Sequence, residues 1–476
     1  MSFSTYEFVF AFLPIVLWLY YAVSKSEINK KHRLQEYVLI LASCVFIGMA
    51  GLPAIIFIIG SAVVNYFLMC LIRKKERKLV IFVGVLLNVL FLGYFKYYNF
   101  LIDNINTIFD VQIKSHSFIL PLGISFYTFQ QILLLVEYGK SSKEKVGFLE
   151  YLSGILFFPR VISGPIMPLT YMQRQWRQII CRIDYRNLSA GCYLFCIGLF
   201  KKAVIADTLV YFVDNGYGIA GDINFWQAWC TSICYTMQIY FDFSGYSDMA
   251  IGVARTLGIE VPFNFDSPYH SQSITEFWRR WHISLSKALS NIVYIPLGGN
   301  RKGKMRTCFN LLVTFLVSGL WHGASWTFVL WGAIHGIFVI IERLTNDWIE
   351  KVPKLIRNVI TFLIVNCLWV LFRAESVKQA LMIYQGMLRV PKDLSEVASL
   401  SAIVNDGIIP IPDLLWAVYL LIILILLFML LSIRKNSNQL YKEFVPDCRT
   451  MTFAVSLFSI SVIHMSRLAN FVYVNF

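Results

Sequence analysis

Residues Leu414 to Leu431 read LLWAVYLLIILILLFMLL, a run without a single charge. A helix needs about 20 consecutive apolar residues to cross the hydrocarbon core of a bilayer. A buried helix of a soluble protein rarely carries such a run, so this segment commits the chain to a membrane. Composition agrees. The 476 residues are 57% hydrophobic and 15% charged, with a mean hydropathy of +0.62. A soluble domain carries about 25% charged residues.

The charges sit in short clusters between apolar runs. Lys25, Lys30, Lys31 and Arg33 form one cluster, and Arg73, Lys74, Lys75, Arg77 and Lys78 form the next. Residues 35–70 between them are broken at Gly51-Leu52-Pro53. That is room for two short crossings and a turn, which returns both clusters to one side. Basic loops favour the cytoplasm, so the N-terminus is expected outside. Apolar residues begin at Phe8 with no basic stretch before them and no small-x-small site after them. This favours a retained first helix over a cleaved signal. The net charge of +14 is assigned to cytoplasmic flanks of membrane spans, and no nucleic-acid partner is expected.

The alternation continues. Leu79–Tyr94 leads out, residues 99–118 are external, and Phe118–Val136 returns to Lys140, Lys143 and Lys145. Residues 147–173 are apolar but interrupted by Pro159, Arg160, Gly164, Pro165 and Pro168, with Arg174, Arg177, Arg182 and Arg186 following. Broken backbone at membrane depth must be buried in protein, so a re-entrant hairpin is expected there. Leu188–Val213 and Phe225–Tyr240 form a further pair. Residues 241–306 are aromatic-rich and carry Asp242, Asp248, Arg255, Glu276, Arg279, Arg280 and His282. Short amphipathic and re-entrant cytoplasmic helices are expected, with a turn-rich break at Asn264–Ser273 and a helix opening at Thr275-Glu276 that carries WRRWH. Phe309–Ile341, Val359–Leu371, residues 414–431 and Phe453–Ile463 complete roughly a dozen crossings. Arg434 and Lys435 place the last loop inside and the C-terminus outside. No internal repeat is evident, and residues 1–476 read as one helical membrane domain ending in a last span plus tail, 453–476.

Of the seven histidines, His322 stands out. It lies in SGLWHGASW, sixteen residues past Arg306, which at helical rise is about 24 Å into the membrane. An ionisable residue there is a functional candidate. The small residues Ser318, Gly319, Gly323, Ala324 and Ser325 around it leave room for a substrate tunnel or allow close helix packing. His282 ends FWRRWH, where an interfacial aromatic-basic belt is the alternative reading. His335, in an apolar run, is expected to hydrogen-bond a neighbouring helix. The ten cysteines show no CxxC and no zinc-like spacing, and pairs such as Cys192/Cys196 and Cys230/Cys234 are expected to pack in helices. No metal site is expected. There is no GxSxG and no HExxH. GGNRKGK at 298–304 imitates a P-loop, but Met305 stands where the magnesium-binding hydroxyl belongs. This turn could hold coenzyme A phosphates through backbone N–H groups and lysines, or be a basic cytoplasmic loop.

Five segments together resemble the membrane-bound O-acyltransferase (MBOAT) family, in the bacterial subgroup that includes the alginate O-acetyltransferase. They are PLGISFYTFQQ (121–131), FFPRVISGPI (157–166), residues 241–286 from FDFSGYSD to WRRWHISLS, YIPLGGNRKGK (294–304) and SGLWHGASWTFVLWGAIHG (318–336). The ending Phe471-Val-Tyr-Val-Asn-Phe476 also fits an F-x-Y-x-x-F close of this subgroup. The resemblance implies an all-α polytopic fold, a multi-helix bundle with re-entrant helices and a central tunnel. It puts the family's membrane histidine on His322, its second histidine on His282 and the subgroup's C-terminal tyrosine, a candidate acyl shuttle, on Tyr473. One segment departs from the pattern: KALSNIV (287–293) replaces the usual Trp and Arg-Asp pair before YIPLGGNR.

The function implied is transfer of an acetyl group from a cytoplasmic thioester across the membrane to an extracytoplasmic polysaccharide. No cofactor is expected to be resident. Acetyl-CoA or an acyl carrier protein is the expected donor, with Arg279, Arg280, Arg301, Lys302 and Lys304 as candidate donor-binding residues. A secreted or anchored SGNH-type acyltransferase is the expected partner, and the cytoplasmic (inner) membrane the expected location. Two alternatives stay open: a teichoic-acid D-alanyl transferase of the same family, and a transporter or flippase, whose broken helices look alike.

Overall fold

In the computed structural model the described residues are 1–24, 33–72, 77–116, 120–141, 145–177, 183–391, 393–404, 412–432 and 435–465. Lys25, Lys30, Lys31, Arg73, Lys74, Lys75, Lys143, Arg182, Arg434 and the tail with Phe471, Tyr473 and Phe476 lie outside them. Among the described residues the chain is helical, without a strand. Six helices have the length and apolarity to cross a membrane: Leu52–Ile72, Arg77–Phe109, Tyr185–Gly218, Trp326–Thr345, Lys354–Arg373 and Asp413–Ser432. Phe8–Ser24, Leu34–Gly48 and Cys448–His464 are shorter apolar helices. This is an all-α polytopic membrane protein.

The hairpin expected at 147–173 is present as two short helices, Phe148–Leu156 and Leu169–Arg177. Every residue from 153 to 167 between and within them is buried. The broken backbone is therefore shielded by protein, as hydrocarbon demands. Gln130 donates to Met167 O (2.7 Å) and accepts from Met167 N (2.9 Å), standing in for a backbone partner.

Several boundaries move. Tyr185–Gly218 is continuous through a π-helical turn at Lys201–Ala206. Phe225 starts a helix that ends not at Tyr240 but at Thr256, so residues 241–256 are not short cytoplasmic helices. Residues 234–254 of it are buried without exception. Its acidic residues are matched: Lys202 Nζ lies 2.7 Å from both Asp242 and Asp207, and Lys201 Nζ lies 2.7 Å from Asp248. The lysines come from the π turn, whose extra residue re-aims side chains. The stretch Phe309–Ile341 is two helices, Lys304–His322 and Trp326–Ile349, because Gly323 is extended (φ −162°, ψ 154°). The last helix starts earlier than Phe453, at Cys448. Asp447 caps it by accepting from Thr450 N (2.8 Å), and that bond holds its carboxyl below the usual carboxylate range.

Long-range hydrogen bonds sort the helix ends into two faces. On one, Arg33 reaches Trp176 O, Glu260 N reaches Gln175, Arg280 reaches Asp266 O, Arg357 reaches Gln272, and Asn436 reaches Asp266. On the other, Tyr6 reaches Val462 O, Trp326 reaches Asn104, Arg373 reaches Asp214, and Gln227 reaches Ser399 O. The first set includes Arg33, Arg280 and Arg357, and the second Arg373 alone among the basic residues in these bonds.

Glycines set the central crossing. An added Cβ at Gly191 would stand 2.6 Å from Gly252 O, and one at Gly198 would stand 2.6 Å from Gly245 O. The backbones of Tyr185–Phe200 and Phe225–Thr256 thus meet directly, the small-residue packing that drives association where no hydrophobic effect operates. Gly198→Ala should destabilise by about 1–3 kcal/mol through overpacking. Gly60→Ala, whose Cβ would meet nothing within 4 Å, should not. Thermal unfolding in detergent checks this, and equal melting temperatures for the two variants would contradict the crossing.

Candidate active site

The site is built where three helix breaks converge. The first break is at His282. The helix Ile274–Arg280 stops before Trp281, so WRRWH is not carried on one helix as expected. His282 adopts φ 44°, ψ 52° and opens the next helix, Ile283–Leu289. Left-handed backbone is costly for most side chains and better tolerated by Asn, Asp and His. The turn is held from both sides: Ile283 N donates to Asn264 O (3.0 Å), and Ser284 N to Asn264 Oδ1 (3.2 Å). The expected break at Asn264–Ser273 is present and supplies these acceptors.

The second break is at His322, the last residue of Lys304–His322. The helix is continuous from the basic face, so the depth of about 24 Å past Arg306 holds. The small residues expected to line a tunnel or permit close packing do the latter. A Cβ at Gly319 would be 2.3 Å from Phe328 O, and one at Gly332 would be 2.4 Å from Phe315 O. The returning helix Trp326–Ile349 is pressed against the first, which brings Trp331 and His335 beside His322. The third break is the re-entrant hairpin. Ile166 N donates to Ser284 Oγ (3.0 Å), tying the hairpin to the His282 turn.

Three histidines meet in one aromatic cluster. The His282 ring is 6.1 Å from Trp321, Trp321 is 4.9 Å from His322, His322 is 5.1 Å from Trp331, and Trp331 is 4.8 Å from His335. Phe126 stacks on His282 at 6.3 Å and Phe243 meets it edge-on at 4.8 Å, while Phe372 stands 5.1 Å from His322. All three imidazoles are at most 2% exposed. The expected interhelical bond of His335 is present: Trp278 Nε1 donates to its Nδ1 at 3.2 Å. An imidazole enclosed by rings and shut off from bulk water can exchange a proton with a bound hydroxyl.

The candidate donor-binding residues stand elsewhere. Arg279, Arg301, Lys302 and Lys304 are exposed, and Arg280 is paired with Glu276 at 2.8 Å. Lys304 is eighteen residues before His322 on one helix, about 27 Å away. In the 298–304 turn Gly298, Gly299 and Gly303 have positive φ of 113°, 57° and 84°. Tyr473 lies outside the described residues. Among the described residues no group of three or more His, Cys, Asp or Glu side chains converges as a metal site would require.

Two residues near the histidines were not singled out from the sequence. Lys96 donates to His322 O, and Glu342 caps the helix that leads to His282. Glu342 accepts from Ile274 N, from Thr275 N (2.9 Å) and from Thr275 Oγ1 (2.8 Å). A carboxylate at a helix N-terminus satisfies orphan donors and faces the positive end of the dipole. A lone ionisable residue in an apolar run was the available signal for Lys96, whereas Glu342 stands beside Arg343 at the end of such a run. Glu342→Ala leaves two amides unpaired and should cost about 1–3 kcal/mol. Hydrogen exchange at Ile274 and Thr275 should then rise, by roughly tenfold for each 1.4 kcal/mol. Unchanged exchange would remove the capping role.

Comparison with known proteins identifies the family. Residues 9–377 match the model of the membrane-bound O-acyltransferase family. The peptidoglycan O-acetyltransferase of Helicobacter pylori is 36% identical over 520 aligned residues, covering 100% of this chain and 98% of that protein. The probable alginate O-acetylase AlgI of Pseudomonas aeruginosa is 39% identical over 401 residues, covering 81% of this chain and 75% of that protein. The teichoic acid D-alanyltransferase of Bacillus subtilis is 29% identical over 260 residues, 51% of this chain and 64% of that protein. This chain belongs to the membrane-bound O-acyltransferase family and is a polytopic membrane enzyme that transfers an acyl group to oxygen.

Proposed function

We propose that the protein takes an acetyl group from a cytoplasmic thioester, most simply acetyl-CoA, and delivers it for O-acetylation of an extracytoplasmic polysaccharide. The observation that carries this reading is the position of His322. It is a buried imidazole among aromatic rings, one long helix away from a basic face. The bias of Lys and Arg toward that face supports placing it in the cytoplasm, and the membrane would be the cytoplasmic (inner) one. The donor's phosphates would lie toward Arg279, Arg280, Arg301, Lys302 and Lys304, with its acyl arm directed toward His322. An acyl carrier protein could present the same arm. Nothing in the reading calls for a metal or a resident cofactor.

At the site, His322 would accept the proton of an acceptor hydroxyl as that oxygen attacks the thioester carbonyl. The C–O bond forms, the C–S bond breaks, and the departing sulfur takes the proton from the imidazolium. His282 would hold the donor or the His322 helix in place. The wider coverage and higher identity to the two acetyl-transferring relatives favour acetyl over D-alanine. Membership in an acyl-transferring family replaces the transporter reading.

His322→Ala should lower O-acetylation by at least about 100-fold, the range expected for a general base. The variant should still insert in the membrane at wild-type level. His282→Ala should cost less, roughly tenfold, because an orienting group only adjusts geometry. Mass spectrometry of isolated envelope glycans reads both and separates acetyl from D-alanyl esters. Wild-type acetylation by His322→Ala removes the base role, and D-alanyl esters that vanish with the protein would replace acetyl as the cargo.

Tyr473 is the proposed relay, taking the acetyl group as a phenyl ester for a secreted or anchored SGNH-type partner to pass on. A phenol of pKa near 10 needs a base before it attacks a thioester, and His322 would supply it. Tyr473→Phe keeps the ring and removes the nucleophile. Glycan acetylation should fall to background in this variant, whereas an interfacial anchor would tolerate the change. Full acetylation at wild-type protein level would make the glycan itself the direct acceptor.

A further inference from the structure

Lys96 sits in the π-helical turn Gly93–Tyr97 of the long helix Arg77–Phe109. Its Nζ is 2.7 Å from Trp321 O, 3.0 Å from His322 O and 3.1 Å from Ser125 Oγ. An ammonium has three protons, and each has an oxygen here. Among the described residues no carboxylate pairs with it. A lysine amine placed among neutral oxygens this deep needs a reason, since most intramembrane ionisable groups pair with one another or with backbone carbonyls at functional places.

Lys304–His322 leaves its last carbonyls without intrahelical partners. Gly319 O takes Gly323 N (3.3 Å). Leu320 O takes the Tyr97 hydroxyl, and Trp321 O and His322 O take Lys96. One π turn therefore satisfies the three carbonyls that precede the break. A cation at a helix C-terminus is also favoured by the helix dipole. The third contact, Ser125 Oγ, belongs to the start of Ile124–Ser141, whose Ser125 O accepts from Trp321 Nε1 at 3.3 Å. Phe126, the next residue, stacks on His282. Lys96 thus touches both the peptide of His322 and the side chain of Ser125, whose neighbour Phe126 stacks on His282.

We infer that Lys96 is a positioning residue for the transfer reaction, fixing the peptide of His322 so that its imidazole meets the acceptor hydroxyl. The inference rests on the reading of His322 as the base. Lys96 needs no contact with substrate. The π turn exists because one extra residue in the helix aims the Lys96 and Tyr97 side chains together at the end of the neighbouring helix, which regular helical spacing of adjacent residues would splay apart.

The test uses full-length protein in inside-out membrane vesicles, with radiolabelled acetyl-CoA as donor and label in vesicle glycan as readout. Lys96→Met removes all three donors. Its kcat should fall about 100-fold, the loss expected when a reacting group is displaced by about 1 Å. The KM for acetyl-CoA should stay within about threefold, because the donor contacts are untouched. Lys96→Arg keeps a cation with several donors and should recover most of kcat. Tyr97→Phe removes the cap of Leu320 O but leaves the His322 carbonyl held, and should keep kcat within about threefold. Equal losses from Tyr97→Phe and Lys96→Met, at equal protein level, would reduce Lys96 to general helix capping and overturn the inference. So would wild-type kcat in Lys96→Met. If Lys96→Met does not accumulate, Lys96→Gln decides: a selective kcat loss supports the inference, and wild-type kinetics overturns it. His322→Ala is run beside them. If it stays active, the base assignment has failed; if it is inactive while Lys96→Met is normal, only the role of Lys96 has.

Discussion

Hydrocarbon offers no hydrogen bonds, so every break in a helix at depth must find its partners in the protein. The candidate active site of this chain is made of such breaks, and side chains from intact helices close each one. Gln130 completes Met167 in the hairpin. Asn358, on the helix Lys354–Arg373, donates to Tyr269 O (2.9 Å) and Ser271 O (3.0 Å) in the loop before His282. Glu342 closes the next helix start, Asn264 the turn at His282, and Lys96 with Tyr97 the end of the helix at His322. Both histidines stand at breaks for this reason. A side chain at a helix terminus can face a space that a side chain in mid-helix, packed on its neighbours, cannot reach.

The same constraint explains the charged residues that avoid the site. Phe225–Thr256 has 32 residues, about 48 Å of helix against a hydrocarbon core of about 30 Å. It is buried along most of that length, so Asp242 and Asp248 sit among protein rather than lipid. Lys201 and Lys202 neutralise them from the π turn of the neighbouring helix. Buried ion pairs give little net stability, since desolvation cancels most of the attraction. Their effect is on register: breaking one pair would leave a buried charge alone. The glycine contacts at Gly191–Gly252 and Gly198–Gly245 bring the same two helices close enough for the pairs to form.

Much of this was legible in the sequence. The uncharged run at 414–431, the hairpin marked by Pro159, Gly164 and Pro165, and the break at Asn264–Ser273 all have local causes that composition carries. His322 was visible because ionisable residues in apolar surroundings are few, and His282 through the resemblance of the FWRRWH run to the family. What was not legible depended on partners far away in the chain. Asp242 and Asp248 made 241–256 look too polar for a buried helix, because the lysines that match them lie 40 and 47 positions earlier. The stop at His322 was hidden inside an apolar run, since Gly323 can continue a helix or end one and the packing of Phe328 against it decides. Lys96 looked like one more residue of an aromatic stretch until the carbonyls it serves, more than two hundred positions later, came beside it.

The separation between the basic face and His322 constrains the chemistry further. A thioester in water is open to hydrolysis, so an enzyme that moves an acyl group must keep water from the carbonyl while admitting one chosen hydroxyl. The rings of Trp321, Trp331, Phe126, Phe243 and Phe372 surround the imidazoles on several sides and leave them almost without solvent contact. A polar, phosphate-bearing donor could not follow its acyl end into that environment. On the proposed reading it would stay about 27 Å away, at the end of a long helix where Lys304, Lys302 and Arg301 are exposed. If His322 is the base, transfer rather than hydrolysis would depend on the length of the helix that carries it and on its far end being held by Lys96.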